Sequence, residues 1–295
     1  MDLVARTPRF ARPGETLVGT DFYTAAGGKG ANQAVAAARL SGKAIMIGRV
    51  GDDLFGKDLI TNMESVGVDT QRVSIDANRP TGTALITVDD QAENTIIIVP
   101  GANGAVGAKE LALLGELMAT AKILLLQLEI PLETIISAAK AASEKGVKVL
   151  LDPAPARELP TELLGYCDFI TPNETEAEIL TGVAINNIDD ARKASKALLE
   201  KGVKAAIIKM SSKGSYYFDG ETEVVFPAFK VHPVDTVAAG DAFNGGFAAA
   251  YADGKPLHEI LQWANAAGAL STTKPGAQPS MPTRSELLDF IANNS

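Results

Sequence analysis

From about Lys122 onward, short apolar runs alternate with stretches of helical spacing, and this alternation constrains the fold more than any other feature. Ile123–Gln127, Val147–Leu151, Phe169–Thr171 and Ala205–Met210 are short and apolar, with little polar alternation. Such runs read as strands buried on both faces. Between the first two lies Leu132–Glu144, whose apolar spacing is helical and which stops at Gly146. Asp152-Pro153 and Pro172 close two of the strands. Buried strands separated by helices predict an α/β fold with a mainly parallel sheet covered on both sides. With 46% apolar but 5% aromatic residues, the composition suits helices packed closely on a sheet.

Two stretches depart from this pattern. Pro8–Thr24 is rich in Pro and Gly, and Thr81–Val99 alternates like exposed antiparallel strands around a polar turn at Asp89–Asn94. Together, residues of about 5–26 and 80–100 are expected to form a small β-sheet at the edge of one domain spanning 1–295. There is no internal repeat and no low-complexity linker.

Several function classes drop out. The net charge of −9 and the lack of a Lys/Arg block argue against a nucleic-acid partner. No apolar run is long enough to span a bilayer. Cys167 is the only cysteine, so no internal disulfide forms, and the first residues do not resemble a signal peptide. The expected setting is the cytoplasm. There are two histidines, His232 and His258, with no Gly-x-Ser-x-Gly elbow and no Gly-x-Gly-x-x-Gly after a strand.

Four stretches carry candidate chemistry. In Asp235–Gly246, the small residues Ala238, Ala239 and Gly240 lead into an apolar helical run, Phe243–Tyr251. Unpaired amides at such a helix start favour an anion, and Asp241 stands beside them as a candidate general base. The same residues also read as a turn and a helix cap. Gly27-Gly28-Lys29-Gly30-Ala31-Asn32-Gln33 precedes a helical run at Ala34–Leu40. It reads as a loop that brings backbone, Lys29 and Asn32 to a polyol, or as a flexible loop before a helix. Asn173 and Glu176, three apart at a helix start, suit either hydrated Mg²⁺ near phosphates or a capping box. Gly51–Asp58 falls one residue short of a phosphate loop and is expected to be a charged turn before a helix.

Taken together, and in this order along nearly the whole chain, these stretches resemble the ribokinase family of carbohydrate kinases. Gly27–Ala34 resembles that family's sugar signature and Asp235–Gly245 its catalytic signature. Pro153–Pro160, Ile170–Ala177 and Gly276–Ser280 narrow the likeness within the family. The resemblance implies a three-layer α/β/α sandwich with a β-sheet lid that also builds a homodimer. It implies ATP-dependent phosphorylation of D-ribose at its 5-hydroxyl, giving D-ribose 5-phosphate. Another pentose such as 2-deoxyribose, or a sugar- or nucleotide-binding protein with impaired turnover, are the alternatives. By the same resemblance, Asp241 is the base and the amides of Ala238, Ala239 and Gly240 form an anion hole. Asp2, Gly28, Lys29, Asn32 and Glu129 hold the sugar. Asn173 and Glu176 organise Mg²⁺ and ATP. Lys209, Ser211, Ser212, Gly214, Gly240 and Asn265 complete the nucleotide site. A K⁺ site falls at Asp235, Val237, Ser271, Lys274, Gly276 and Ser280, largely through carbonyls.

Two departures from the family pattern carry expectations of their own. Ser211 stands where a glycine is usual, so a positive φ there would cost about 1 kcal/mol. The family also has an apolar strand and a Gly-Ser-x-Asn turn ahead of the position of Asp2, whereas this sequence reads Met1-Asp2. A late start codon or an engineered truncation would account for that. The expected consequence is an opening inside the sheet, with unpaired N–H and C=O groups on the flanking strands.

Overall fold

In the computed structural model of the chain, residues 1–41, 43–91 and 93–294 are described. The first half forms β1 (Asp2–Arg6), β2 (Asp21–Ala25), α1 (Lys29–Ser41), β3 (Ala44–Gly51), α2 (Leu54–Ser65), β4 (Val68–Asp76), β5 (Thr83–Val88), β6 (Asn94–Val99) and α3 (Ala108–Leu117). Next come β7 (Ile123–Leu126), α4 (Leu132–Glu144), β8 (Lys148–Leu151), α5 (Thr161–Tyr166), β9 (Phe169–Ile170), α6 (Glu174–Thr181), α7 (Ile188–Glu200) and β10 (Ala205–Lys209). The chain ends with β11 (Ser215–Phe218), β12 (Glu223–Phe226), α8 (Ala239–Ala252), α9 (Leu257–Ser271) and α10 (Arg284–Asn293).

The largest sheet runs in the order β12-β11-β10-β9-β8-β7. Strands β7 to β10 are parallel, while β11 and β12 add an antiparallel edge. Successive residues point to opposite sides of each strand. Val149, Leu151, Ala206 and Ile208 therefore meet α4, α5, α6 and α7 in one buried cluster. Leu150, Ala205 and Ile207 meet α8 and α9 in another. These strands are apolar on both faces because both faces are roofed by helices. The result is the three-layer sandwich.

Helix α4 has the bounds the spacing predicts, and β7 to β10 begin and end within a residue of the predicted runs. Helix α1 instead begins at Lys29, five residues before the predicted Ala34. Gly28 adopts a φ of 91°, and its carbonyl accepts the first helical bond from Asn32 N–H at 2.9 Å. Lys29, Gly30, Asn32 and Gln33 thus sit on a helix rather than in a loop. Of the charged turn expected at Gly51–Asp58, only the part up to Asp53 is a turn; Leu54–Asp58 already belong to α2, which Asp53 caps by accepting from Gly56 N–H at 2.8 Å.

A second sheet has the order β2-β1-β5-β6. It starts at Asp2, earlier than the expected residue 5. Its β5–β6 hairpin is antiparallel, and its turn is drawn in by Asp89, which accepts from the Gln91 and Glu93 N–H groups. Ala92, within the predicted Asp89–Asn94 turn, lies outside the described residues.

Strands β3 and β4 pair in parallel as a separate two-stranded sheet. Among the described residues β3 pairs only with β4, and β7 only with β8. Both strands line a cavity of about 860 Å³, together with Gly27, Gly82, Gln127 and Glu129. The cavity separates the β3–β4 pair from the β7 edge of the larger sheet. Among the described residues no helix is long and apolar enough to cross a membrane.

Candidate active site

Two glycines on α8 set the geometry. A Cβ on Gly245 would stand 2.4 Å from the Ala36 Cβ on α1, and one on Gly246 would stand 2.9 Å from the Trp263 carbonyl on α9. Without side chains there, α1 and α9 close directly on α8. That approach brings the start of α1 against the first turn of α8, where Asp241 lies only 5% exposed.

Asp241 accepts two hydrogen bonds. Asn32 Nδ2 donates to its Oδ2 at 2.9 Å, and Gln33 Nε2 donates to its Oδ1 at 3.0 Å. Both donors are themselves held. Gln278 Nε2 donates to Asn32 Oδ1 at 3.1 Å, and Asn62 donates to Gln278 in turn. Gln127 Nε2 donates to Gln33 Oε1 at 2.6 Å. Burial pushes the Asp241 carboxyl up to about 6, helped by the nearby Asp152; Lys29 and the two amides pull the other way. A carboxyl in that range is ionised at neutral pH yet basic enough to take a proton.

The helix start beside Asp241 has no side-chain cap. The residue just before the helix, Ala238, has a φ of 60°, a left-handed conformation that costs a non-glycine residue about 1–2 kcal/mol. A Cβ on Gly240 would lie 3.2 Å from Lys209 Nζ, so that ammonium stands directly over the amide end of α8. Ala239 N–H already donates to the Thr236 carbonyl at 3.3 Å, so of the three expected anion-hole amides it is the one engaged within the loop. The amide end of α8 and a cation nevertheless converge next to a base, an arrangement that can stabilise a transferring anion.

The expected sugar residues gather on one side of Asp241. Gly27 has no Cβ, which would collide with the Asp2 carboxylate at 2.2 Å. Glu129 Oε2 accepts from Lys29 N–H at 3.1 Å. Burial raises the carboxyls of both Asp2 and Glu129, with Lys29 lowering each. Lys29 remains charged: burial disfavours its cation, but Asp241, Asp152 and Glu129 together raise it.

Asn173 and Glu176 form the capping box that was the alternative reading. Asn173 Oδ1 accepts from Glu176 N–H, and Glu176 Oε2 accepts from Asn173 N–H, both at 2.8 Å. Glu176 Oε1 stays outside that box. Gly214 takes a φ of 93° between β10 and β11, tight against the Phe226 carbonyl. Ser211 takes a φ of 47°, the left-handed conformation anticipated, and its hydroxyl donates to Glu174 at 3.2 Å. Ser212 is exposed beside it. Asn265 commits both amide hydrogens inward, to Ser215 Oγ and the Leu261 carbonyl.

The proposed cation residues are tied together through Asp235. Its Oδ1 accepts from Val237 N–H at 3.0 Å and its Oδ2 from Gly276 N–H at 2.9 Å. Ser271 and Ser280 are buried, donating to the Gly268 and Ala277 carbonyls. The Lys274 ammonium points away to Glu286, so only its backbone is available there.

Asp152 was read from the sequence only as a strand breaker. It lies at the carboxyl end of β8, 2% exposed, bonded to Gln33 at 2.9 Å and to Lys209 Nζ at 3.0 Å. Ligands of open α/β sheets gather at the carboxyl ends of the strands, and that rule would have singled it out.

Comparison with known proteins agrees with this architecture. The pattern of the pfkB family carbohydrate kinases matches residues 1–284. The ribokinase of Haemophilus influenzae is 43% identical over 290 residues, 98% of this chain and 95% of its own length. The deoxyribokinase of Salmonella typhi is 39% identical over 295 residues, 100% of this chain and 96% of its own length. Among solved structures, the ribokinase of Thermotoga maritima superposes with a TM-score of 0.88 at 39% identity, covering 99% of this chain and 96% of that one. Arabidopsis thaliana ribokinase complexed with ribose and ATP gives 0.91 at 36% identity, covering 98% and 95%. The chain belongs to the pfkB family of carbohydrate kinases and is an ATP-dependent carbohydrate kinase.

Proposed function

We propose that the chain transfers the γ-phosphoryl group of ATP to the 5-hydroxyl of D-ribose. The observation that carries this reading is the Asp241 carboxylate, buried and fixed by two amides beside an uncapped helix start. Asp241 takes the proton from the 5-hydroxyl. The alcohol oxygen forms its bond to the γ-phosphorus as the bond to the β–γ bridging oxygen breaks, releasing ADP. The amides of Ala238 and Gly240, joined by that of Ala239 once it releases the Thr236 carbonyl, carry the charge on the moving group. Asp2 and Glu129 accept from the other sugar hydroxyls; Gly28, Lys29 and Asn32 complete the pocket.

Lys209, Ser211, Ser212, Gly214 and Asn265 line the nucleotide side. Asn173 and Glu176 would meet Mg²⁺ through water, since the capping box leaves one Glu176 oxygen unengaged and no group of three metal-binding side chains occurs among the described residues. Mg²⁺ would neutralise phosphate charge. The loops joined by Asp235 fit a K⁺ held by backbone carbonyls, with Ser271 and Ser280 at its edge. K⁺ would order the anion hole.

The sheet of β1, β2, β5 and β6 is apolar on both faces: Ile97 is 63% exposed and its neighbours Ile96 and Ile98 are 54% and 51% exposed, pointing oppositely. One face suits a lid over the sugar and the other the same sheet of a second copy, giving a homodimer. A cytoplasmic setting suits the single, buried thiol of Cys167.

A second reading, 2-deoxyribose as acceptor, draws on the deoxyribokinase likeness. A coupled ADP-release assay over ribose, 2-deoxyribose, fructose and adenosine separates them. Preference for ribose is the expected result. Activity on fructose or adenosine but not on pentoses would overturn the assignment.

A further inference from the structure

The site holds a buried carboxylate that the chemistry above does not use. Asp152 and Asp241 are bridged by one amide nitrogen, Gln33 Nε2, with its two hydrogens going to the two carboxylates at 2.9 and 3.0 Å. Gln127 fixes that amide from behind, donating to Gln33 Oε1. Rotating Gln33 would set its oxygen against both carboxylates, so Gln33 is locked as a double donor. On its far side Asp152 carries the Lys209 ammonium at 3.0 Å, with 14% of the lysine side chain exposed. That same ammonium stands over Gly240, at the amide end of α8. It therefore has two anionic partners within reach of one flexible side chain: Asp152 now, and the phosphates of a nucleotide when they arrive.

We propose that Asp152 is a positioning residue for Asp241, acting through the Gln33 amide, and that Lys209 is the exchangeable cation that reports nucleotide binding to this pair. Without nucleotide, Lys209 neutralises Asp152. With nucleotide, it turns to the phosphates, and the charge of Asp152 acts on Asp241 without compensation. A like charge at this range makes a carboxylate hold a proton more tightly. Asp241 thus becomes a stronger base only when the phosphoryl donor is in place. The other charged groups facing the pair are Lys29 on α1, Glu129 after β7 and Glu176 on α6. None of them joins the Gln33 bridge. The advantage to turnover rests on the sugar-kinase reading; the coupling between the three charges does not.

The test is a ¹³C-carboxyl NMR titration of Asp241 in the full chain, its signal assigned by difference from Asp241→Asn. It is run alone and with Mg²⁺ and adenosine 5′-(β,γ-imido)triphosphate. In the native chain the midpoint is expected to rise by about one pH unit with nucleotide. In Asp152→Asn the nucleotide-free midpoint is expected below the native one, and most of the nucleotide-induced rise is lost. In Lys209→Met the nucleotide-free midpoint is expected already raised. Equal nucleotide-free midpoints in all three proteins, or the same nucleotide-induced rise with and without Asp152, would overturn the coupling. Absence of sugar phosphorylation by a native chain that shows these shifts would instead overturn the sugar-kinase reading and leave the coupling standing. Should Asp152→Asn not fold, the Lys209→Met comparison decides alone.

Discussion

Asn32 Nδ2 and Asp241 Oδ2 meet at 2.9 Å across 209 residues of sequence, joining the start of α1 to the start of α8. The bond holds one oxygen of the carboxylate, while burial raises its protonation midpoint to about 6.

That raised midpoint has a cost in stability. An unfolded aspartate ionises near pH 3.9, so the native state opposes ionisation between about pH 4 and 6. The penalty is absent below that window and complete above it, at most about 3 kcal/mol for a shift of about two units. Asp241→Asn is expected to raise the unfolding midpoint at pH 8, with a smaller gain at pH 4.5, measured by calorimetry. A gain independent of pH would refute the assignment.

Ser211 is strained. Its φ of 47° is one that glycine adopts freely, and the hydroxyl bond to Glu174 is largely exposed. Ser211→Gly is expected to stabilise the chain by about 0.5–1 kcal/mol and to improve nucleotide affinity modestly. Chemical denaturation and calorimetric titration with ATP measure the two effects. Destabilisation would mean the hydroxyl bond outweighs the strain.

Among the described residues the edges of β3 and β7 that face the cavity have no strand partner, so their amides are expected to exchange with solvent deuterium sooner than those of β9 and β10. Equal protection across these four strands would contradict that difference.

Asp235 clamps the Val237 and Gly276 amides, holding two loops around the proposed K⁺ position. Turnover is expected to rise severalfold when K⁺ replaces Na⁺ at constant ionic strength, and Asp235→Asn is expected to blunt that response. Indifference of the native chain to the cation would remove the site.

The parts of this molecule that were readable in the sequence are those where local pattern and burial agree. Leu150 and Leu151 are adjacent and both buried, so their run announces a strand covered on both sides. Motif and spacing singled out Asp241 and Asn32, which the fold brings into contact. Asp152, Gln127 and Gln278 were not, because each acquires its role only from partners far away in sequence. A carboxylate before a proline signals a strand end whether or not an amide waits opposite it. The start of α1 was misplaced for a related reason: glycines at 27, 28 and 30 signal a loop, yet the helix is fixed by Gly28 alone and by packing against α8.

The most direct test of Asp241 as the base is steady-state ADP release with D-ribose and Mg·ATP, native chain against Asp241→Asn, with ATP binding measured in parallel. The native chain is expected to turn over. The substitution should lower kcat by roughly 10²–10⁴-fold while ATP affinity changes little. Near-native turnover by Asp241→Asn would contradict the role of Asp241.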